Sequence, residues 1–200
     1  MSFGFPKAKL QVVADFATAL GHSAFRVGDP LGMLAFDAHD RSDLFVPPLL
    51  SRGVGEVMTS MLANCEGTAG SGEGLEETAL HLAGRHGLIF LASDFHWPLD
   101  RLDGVLDLLA HSYIVPLVVW DPAETHPPAR DGLMPLRDVE SGRRSTIWLR
   151  PSMRARWHEA VARRRAELNA LFTARGIRPF HVSGEFDSQA LSQYFFEATA

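Results

Sequence analysis

The run Gly87-Leu88-Ile89-Phe90-Leu91-Ala92 constrains this chain more than any other segment, because it carries no polar side chain and stops abruptly at Ser93-Asp94. A stretch this short, without alternation of polar and apolar positions, has the pattern of a strand covered on both faces, and such strands belong to parallel sheets. Leu117 to Trp120 reads as a second strand, with Pro116 tolerable only at its start. Ile177 to Val182 reads as the last. Helical spacing fills the intervals. Leu99, Leu102, Leu106 and Leu109 mark one helix; a long one runs from about Ser152 to Arg175, with Met153, Trp157, Val161, Leu168 and Phe172 on one face and Gly176 as its stop. This alternation predicts an α/β fold, an open, mainly parallel sheet with helices on both faces and ligand sites beyond the carboxyl ends of the strands.

The N-terminal half fits the same scheme. Leu10, Val13, Ala14, Ala17, Leu20 and Ala24 recur at helical spacing between Lys7 and Phe25, and Val12, Phe16 and Ala19 add a second apolar face, so this helix is expected to be buried on two sides. Leu31 to Phe36 has the length of a strand, with Leu44 to Val46 as a hairpin partner; residues 31–37, 87–93 and 117–120 are expected in one sheet. Val54 to Leu62 and Leu75 to Ala83 read as two further helices, Leu133 to Leu136 with Thr146 to Leu149 as a hairpin, and Ala190 to Phe196 as a last helix. Neither repeat nor linker interrupts residues 1–200, which read as a single domain.

The formal charge of −5 argues against a surface that coats nucleic acid or anionic membrane as a whole. One cysteine, Cys65, can build neither a disulfide nor a multi-thiolate zinc site and reads as structural; the cytoplasm is the expected compartment. The longest apolar run is far short of a bilayer span. Ten of the seventeen arginines fall between Arg143 and Arg178 with only Glu159 and Glu167 against them, a solvated helix face or a docking face for an acidic protein.

Asp94 stands directly after a buried strand, where such sheets place functional groups, although an N-cap for the next helix would use the same residue. Asp37, His39 and Asp40 follow another strand, and Asp94 with His96 repeats the Asp-x-His spacing; converged, these pairs could hold a metal for a hydrolase. The loop from Gly67 to Gly74 lacks the Gly-Lys-Ser/Thr ending of a nucleotide-binding loop and reads as a connector or an anion cradle.

Several segments, taken in order, resemble one family. They are Ser2-Phe3-Gly4, Arg26 to Asp37 (RVGDPLGMLAFD), Leu88 to Phe95 (LIFLASDF), Val118 to Glu124 (VVWDPAE) and Leu136 to Gly142 (LRDVESG). The set is similar to the von Willebrand factor A-like proteins catalogued as domain of unknown function 58, typically found beside MoxR-type AAA+ ATPases. The resemblance implies a doubly wound von Willebrand A-like sheet whose top carries a metal-ion-dependent adhesion site for Mg²⁺. In that site Asp94 matches the family's later aspartate, and the loop hydroxyl matches Ser71 by spacing or Thr68 by residue type. The site is expected to bring Asp94 and that hydroxyl within several ångströms of each other. The family's Asp-x-Ser-x-Ser motif, which precedes a turn matched by Met1-Ser2-Phe3-Gly4, is absent, so the chain is expected to be truncated at its N-terminus and Mg²⁺ binding to be weak or lost. The first central strand would then be missing, with a slot between the strands at 31–37 and 87–93. The function implied is a non-enzymatic interaction domain, without catalytic residues, that works with a MoxR-type ATPase or its client protein and not with nucleic acid. The metal-dependent hydrolase is the alternative.

Overall fold

The computed structural model describes residues 7–65, 72–137 and 144–198. In chain order the elements are α1 (Lys9–Val27), β1 (Leu31–Met33), β2 (Val46–Leu49), α2 (Val54–Ala63), α3 (Gly74–Leu80), β3 (Leu88–Ser93) and α4 (Leu102–Leu108). They continue with β4 (Tyr113–Trp120), α5 (Pro122–Thr125), β5 (Gly132–Arg137), β6 (Arg144–Leu149), α6 (Pro151–Thr173), β7 (Phe180–Ser183) and α7 (Ser188–Ala198). The apolar runs form a parallel sheet in the order β3-β4-β7, with Leu88 opposite Tyr113 and Leu117 opposite Phe180.

Strand β4 is the centre of the molecule, buried at every position from Ile114 to Trp120. Its side chains alternate between two cores, as the pleat requires. Leu117 and Val119 join Val12 and Phe16 of α1 and Val182 of β7 on one face. Val118 and Trp120 join Leu102, Val105 and Leu106 of α4 and Leu168 and Phe172 of α6 on the other. The sheet is therefore covered by helices on both faces. Pro116 lies inside this strand rather than at its start; it pairs with Leu91 on one side and precedes the β7 pairing on the other, where a missing N–H forfeits no ladder bond.

Helix α1 is buried on two sides as its two apolar faces predict: Val12 and Phe16 face the sheet, and Ala17 packs with Val54 and Met58 of α2. The two helices cross at Gly21 and Gly55, so closely that a Cβ on Gly21 would lie 2.7 Å from the Gly55 Cα. Residues 31–37 do not join the main sheet. Leu31–Met33 pairs antiparallel with β2 as a separate two-stranded ribbon, and Gly32 is pressed so tightly against it that a Cβ would lie 2.9 Å from the Val46 carbonyl oxygen. The ribbon lies over α1 and α2, where Leu31, Met33 and Val46 pack with Ala17, Val54 and Met58. Among the described residues no strand pairs with the outer edge of β3. The expected hairpin is present as β5–β6, in register from Gly132 opposite Leu149 to Arg137 opposite Arg144.

Candidate functional site

The carboxyl ends of β3 and β4 lie side by side, and the residues following them build a charged cluster. After Ser93 the backbone turns sharply: Phe95 adopts a left-handed conformation (φ 51°) that an L side chain reaches only at a cost of about 1–3 kcal/mol. The Ser93 hydroxyl holds the turn, accepting from the Phe95 N–H at 3.0 Å and the Trp97 indole at 3.2 Å. Phe95 is fully buried against Phe172. Arg164 of α6 secures the turn from outside, donating to the Phe95 carbonyl (2.6 and 3.1 Å) and to the Trp97 carbonyl.

After Trp120, Asp121 caps α5 by accepting from the Ala123 N–H at 2.7 Å, while Glu124 reaches back to the Asp121 N–H at 3.2 Å. This capping box fixes Glu124 beside Asp94. Lys9, the first residue of α1, enters between them: its Nζ lies 2.7 Å from Asp94 Oδ2 and 2.7 Å from Glu124 Oε1. Lys9 is only 4% exposed. His96 approaches the other Glu124 oxygen at 3.4 Å and stacks on Trp120, whose indole N–H donates to the Asp94 carbonyl at 2.8 Å.

Burial opposes every charge in this cluster, and the pairing outweighs it. The Lys9 ammonium, penalised by burial, is held above its ordinary pKa by Asp94 and Glu124. Asp94 is raised by burial but lowered more strongly by Lys9, and ends below the usual carboxylate value. Glu124, also desolvated, is brought down to about 2 by hydrogen bonds from His96 and Lys9. A cation at the first residue of a helix opposes the helix dipole. The two carboxylates supply what that position lacks.

Magnesium takes oxygen ligands, usually one or two carboxylates completed by waters. At Asp94, Oδ2 is bonded to the Lys9 ammonium, which also holds the neighbouring Glu124 oxygen, so a hard cation there would compete with that ammonium. Ser71 and Thr68 lie outside the described residues. The adjoining Gly72 packs on Trp97, a Cβ there falling 2.8 Å from the indole, so the C-terminal end of the glycine-rich loop meets the Asp94 turn. The two Asp-x-His pairs have different partners. Asp37 binds Arg41 at 3.0 Å and the His39 N–H, Asp40 accepts from Thr78, and Asp94 and His96 are engaged by Lys9 and Glu124. Among the described residues no group of three or more His, Cys, Asp or Glu is arranged to hold a metal ion.

Beside the cluster, between α5 and α6, opens a cleft of about 560 Å³ walled by Trp120, Trp157, Met153, Ala160 and Val161. The Trp157 indole donates to the Glu124 carbonyl at 2.6 Å, tying α6 to α5. Sequence reasoning singled out Asp94 and missed Lys9, Glu124 and the role of Arg164. The available signals were the Asp-Pro-Ala-Glu capping box and the rarity of lysine, which occurs only at positions 7 and 9. No helix among the described residues is long and apolar enough to cross a membrane.

A family model described as protein of unknown function DUF58 matches residues 1–167. Among curated proteins, the chain is 30% identical over 95 residues, covering 48% of this chain and 90% of the relative, to an uncharacterized protein in the moxR 3′ region of Paracoccus denitrificans. No solved structure matches.

Proposed function

Because the chain belongs to the DUF58 family, we propose that it is a protein-interaction domain working in the cytoplasm with a MoxR-type AAA+ ATPase, in the assembly or maturation of a client complex. The fold proposed for it is the doubly wound von Willebrand A-like sheet, with the strand ends as the docking end. The location of the relative in a moxR 3′ region supports the partner.

The observation that carries the reading is the closed ion cluster of Lys9, Asp94 and Glu124 beside an open, largely apolar cleft. A general acid or base works best with a pKa near the operating pH. Here both carboxylates are driven the other way, and their oxygens serve to fix α1 and α5 to the sheet. What the cluster presents is a rigid polar platform, suited to recognition.

The test is binding of the full chain to purified MoxR-type ATPases encoded in the same genome, followed by calorimetry. Micromolar or tighter association with one of them is expected. Failure of all of them to bind, or turnover of ester, amide or phosphate substrates by the chain alone, overturns the reading.

A further inference from the structure

We infer that the cleft between α5 and α6 receives an acidic peptide segment of a partner protein, one apolar side chain entering the cleft and a neighbouring carboxylate pairing with Arg156. This rests on the interaction role proposed above and specifies the chemistry of what is bound.

The charge distribution points to an acidic occupant. The chain as a whole carries −5, yet residues 150–165, which form much of one wall, contain six arginines against the single Glu159. Glu124, the carboxylate that lines the cleft, is bonded to Lys9 and faces His96; Lys9 is shared with Asp94, so the cluster keeps one negative charge against the arginines of α6. Among the arginines, Arg164 is committed to the Phe95 and Trp97 carbonyls and Arg154 to Asp131 at 2.6 Å. Arg156 lines the cleft and is exposed, and no carboxylate among the described residues pairs with it. A guanidinium at the rim of an apolar cleft selects a partner carrying a carboxylate next to an aliphatic or aromatic anchor.

The walls favour a side chain over a nucleobase. His96 lies parallel to Trp120, with 11° between the rings and 6.0 Å between their centroids. Met153, Ala160 and Val161 add aliphatic rather than stacking surface. Sequence-tolerant binding of single strands uses successive open aromatic faces along a basic groove, whereas here Met153, Ala160 and Val161 share the lining with Trp120 and Trp157.

The experiment selects a displayed library of random peptides on the immobilised full chain. Enrichment is expected for sequences with Leu, Met or an aromatic residue close to Asp or Glu. A synthetic peptide of the enriched sequence should change the tryptophan emission on binding, since Trp120 and Trp157 line the cleft. Arg156→Glu and Ala160→Phe should each weaken that peptide by about tenfold or more, with thermal midpoints unchanged because both positions are exposed. No enrichment, enrichment of basic or uncharged sequences, or affinity unaffected by both substitutions overturns the inference. Tighter binding of a single-stranded oligonucleotide than of the peptide overturns it as well. The ATPase measurement separates the two claims: if both variants bind the ATPase as the wild type does, the interaction role stands and the assignment of this cleft falls.

Discussion

Lys9 shows how much one side chain can hold in place. Its ammonium joins the first residue of α1 to the turn after β3 and to the capping box of α5. Removing one partner from a buried charge cluster leaves the others uncompensated, typically at about 3–5 kcal/mol. Lys9→Met should therefore lower unfolding stability by about 3 kcal/mol in urea titration with an unchanged slope, whereas a loss under about 1 kcal/mol would mean that water screens the two carboxylates. Asp94 was legible because a carboxylate ending an apolar run has few other places to be. Lys9 was not: nothing local marks it, and its partners lie 85 and 115 residues away. Glu124 was half legible, since the capping box is local and the bond to Lys9 is not.

Elements followed the same division. The two-sided burial of α1, the strands β3 and β4, the β5–β6 hairpin and the length of α6 all follow from periodicities that a short window contains. The placement of residues 31–33 does not, because a three-residue strand carries no pattern that distinguishes a main sheet from a ribbon. Nor does sequence spacing show which helices cross. The Gly21–Gly55 contact between α1 and α2 leaves no room for a side chain, a Cβ on Gly55 falling 2.9 Å from the Ala17 carbonyl oxygen. Gly55→Ala should separate the helices at a cost of about 1–3 kcal/mol, despite the better helix propensity of alanine. Thermal melting decides this: a midpoint equal to or above that of the wild type would show that the crossing can relax.

For the molecule as a whole, the titrating groups predict a stability that falls in two stages on acidification. His181, between β7 and α6, is brought down to about 4 by burial and by Arg165, and its ring lies 3.2 Å from the Asn169 side chain. It is neutral in the folded chain while the unfolded chain protonates it near 6.5, so its contribution is complete above pH 6.5 and is lost between there and about pH 4. After allowance for its partial exposure this amounts to on the order of 1–2 kcal/mol. Asp94 and Glu124 have folded values below their unfolded ones, so their contribution is complete above about pH 4.5 and is lost as pH falls toward 2, the Glu124 value. Midpoints followed from pH 8 to pH 2 should show both declines. His181→Phe should remove most of the first and Lys9→Met most of the second; a single decline common to all three proteins would refute the assignment.

The span of the Lys9 contacts also sets a schedule for synthesis. The ammonium leaves the ribosome before Glu124, which is made 115 residues later. At about 5–20 residues per second, roughly 6 to 23 s pass before the second carboxylate exists. Until then the sheet-facing side of α1, with Val12 and Phe16, lacks β4, which is complete only at Trp120. For those seconds that face has no final place to dock, although the opposite one already has α2, and slower elongation between the Lys9 and Glu124 codons lengthens the period in which a chaperone must shield it.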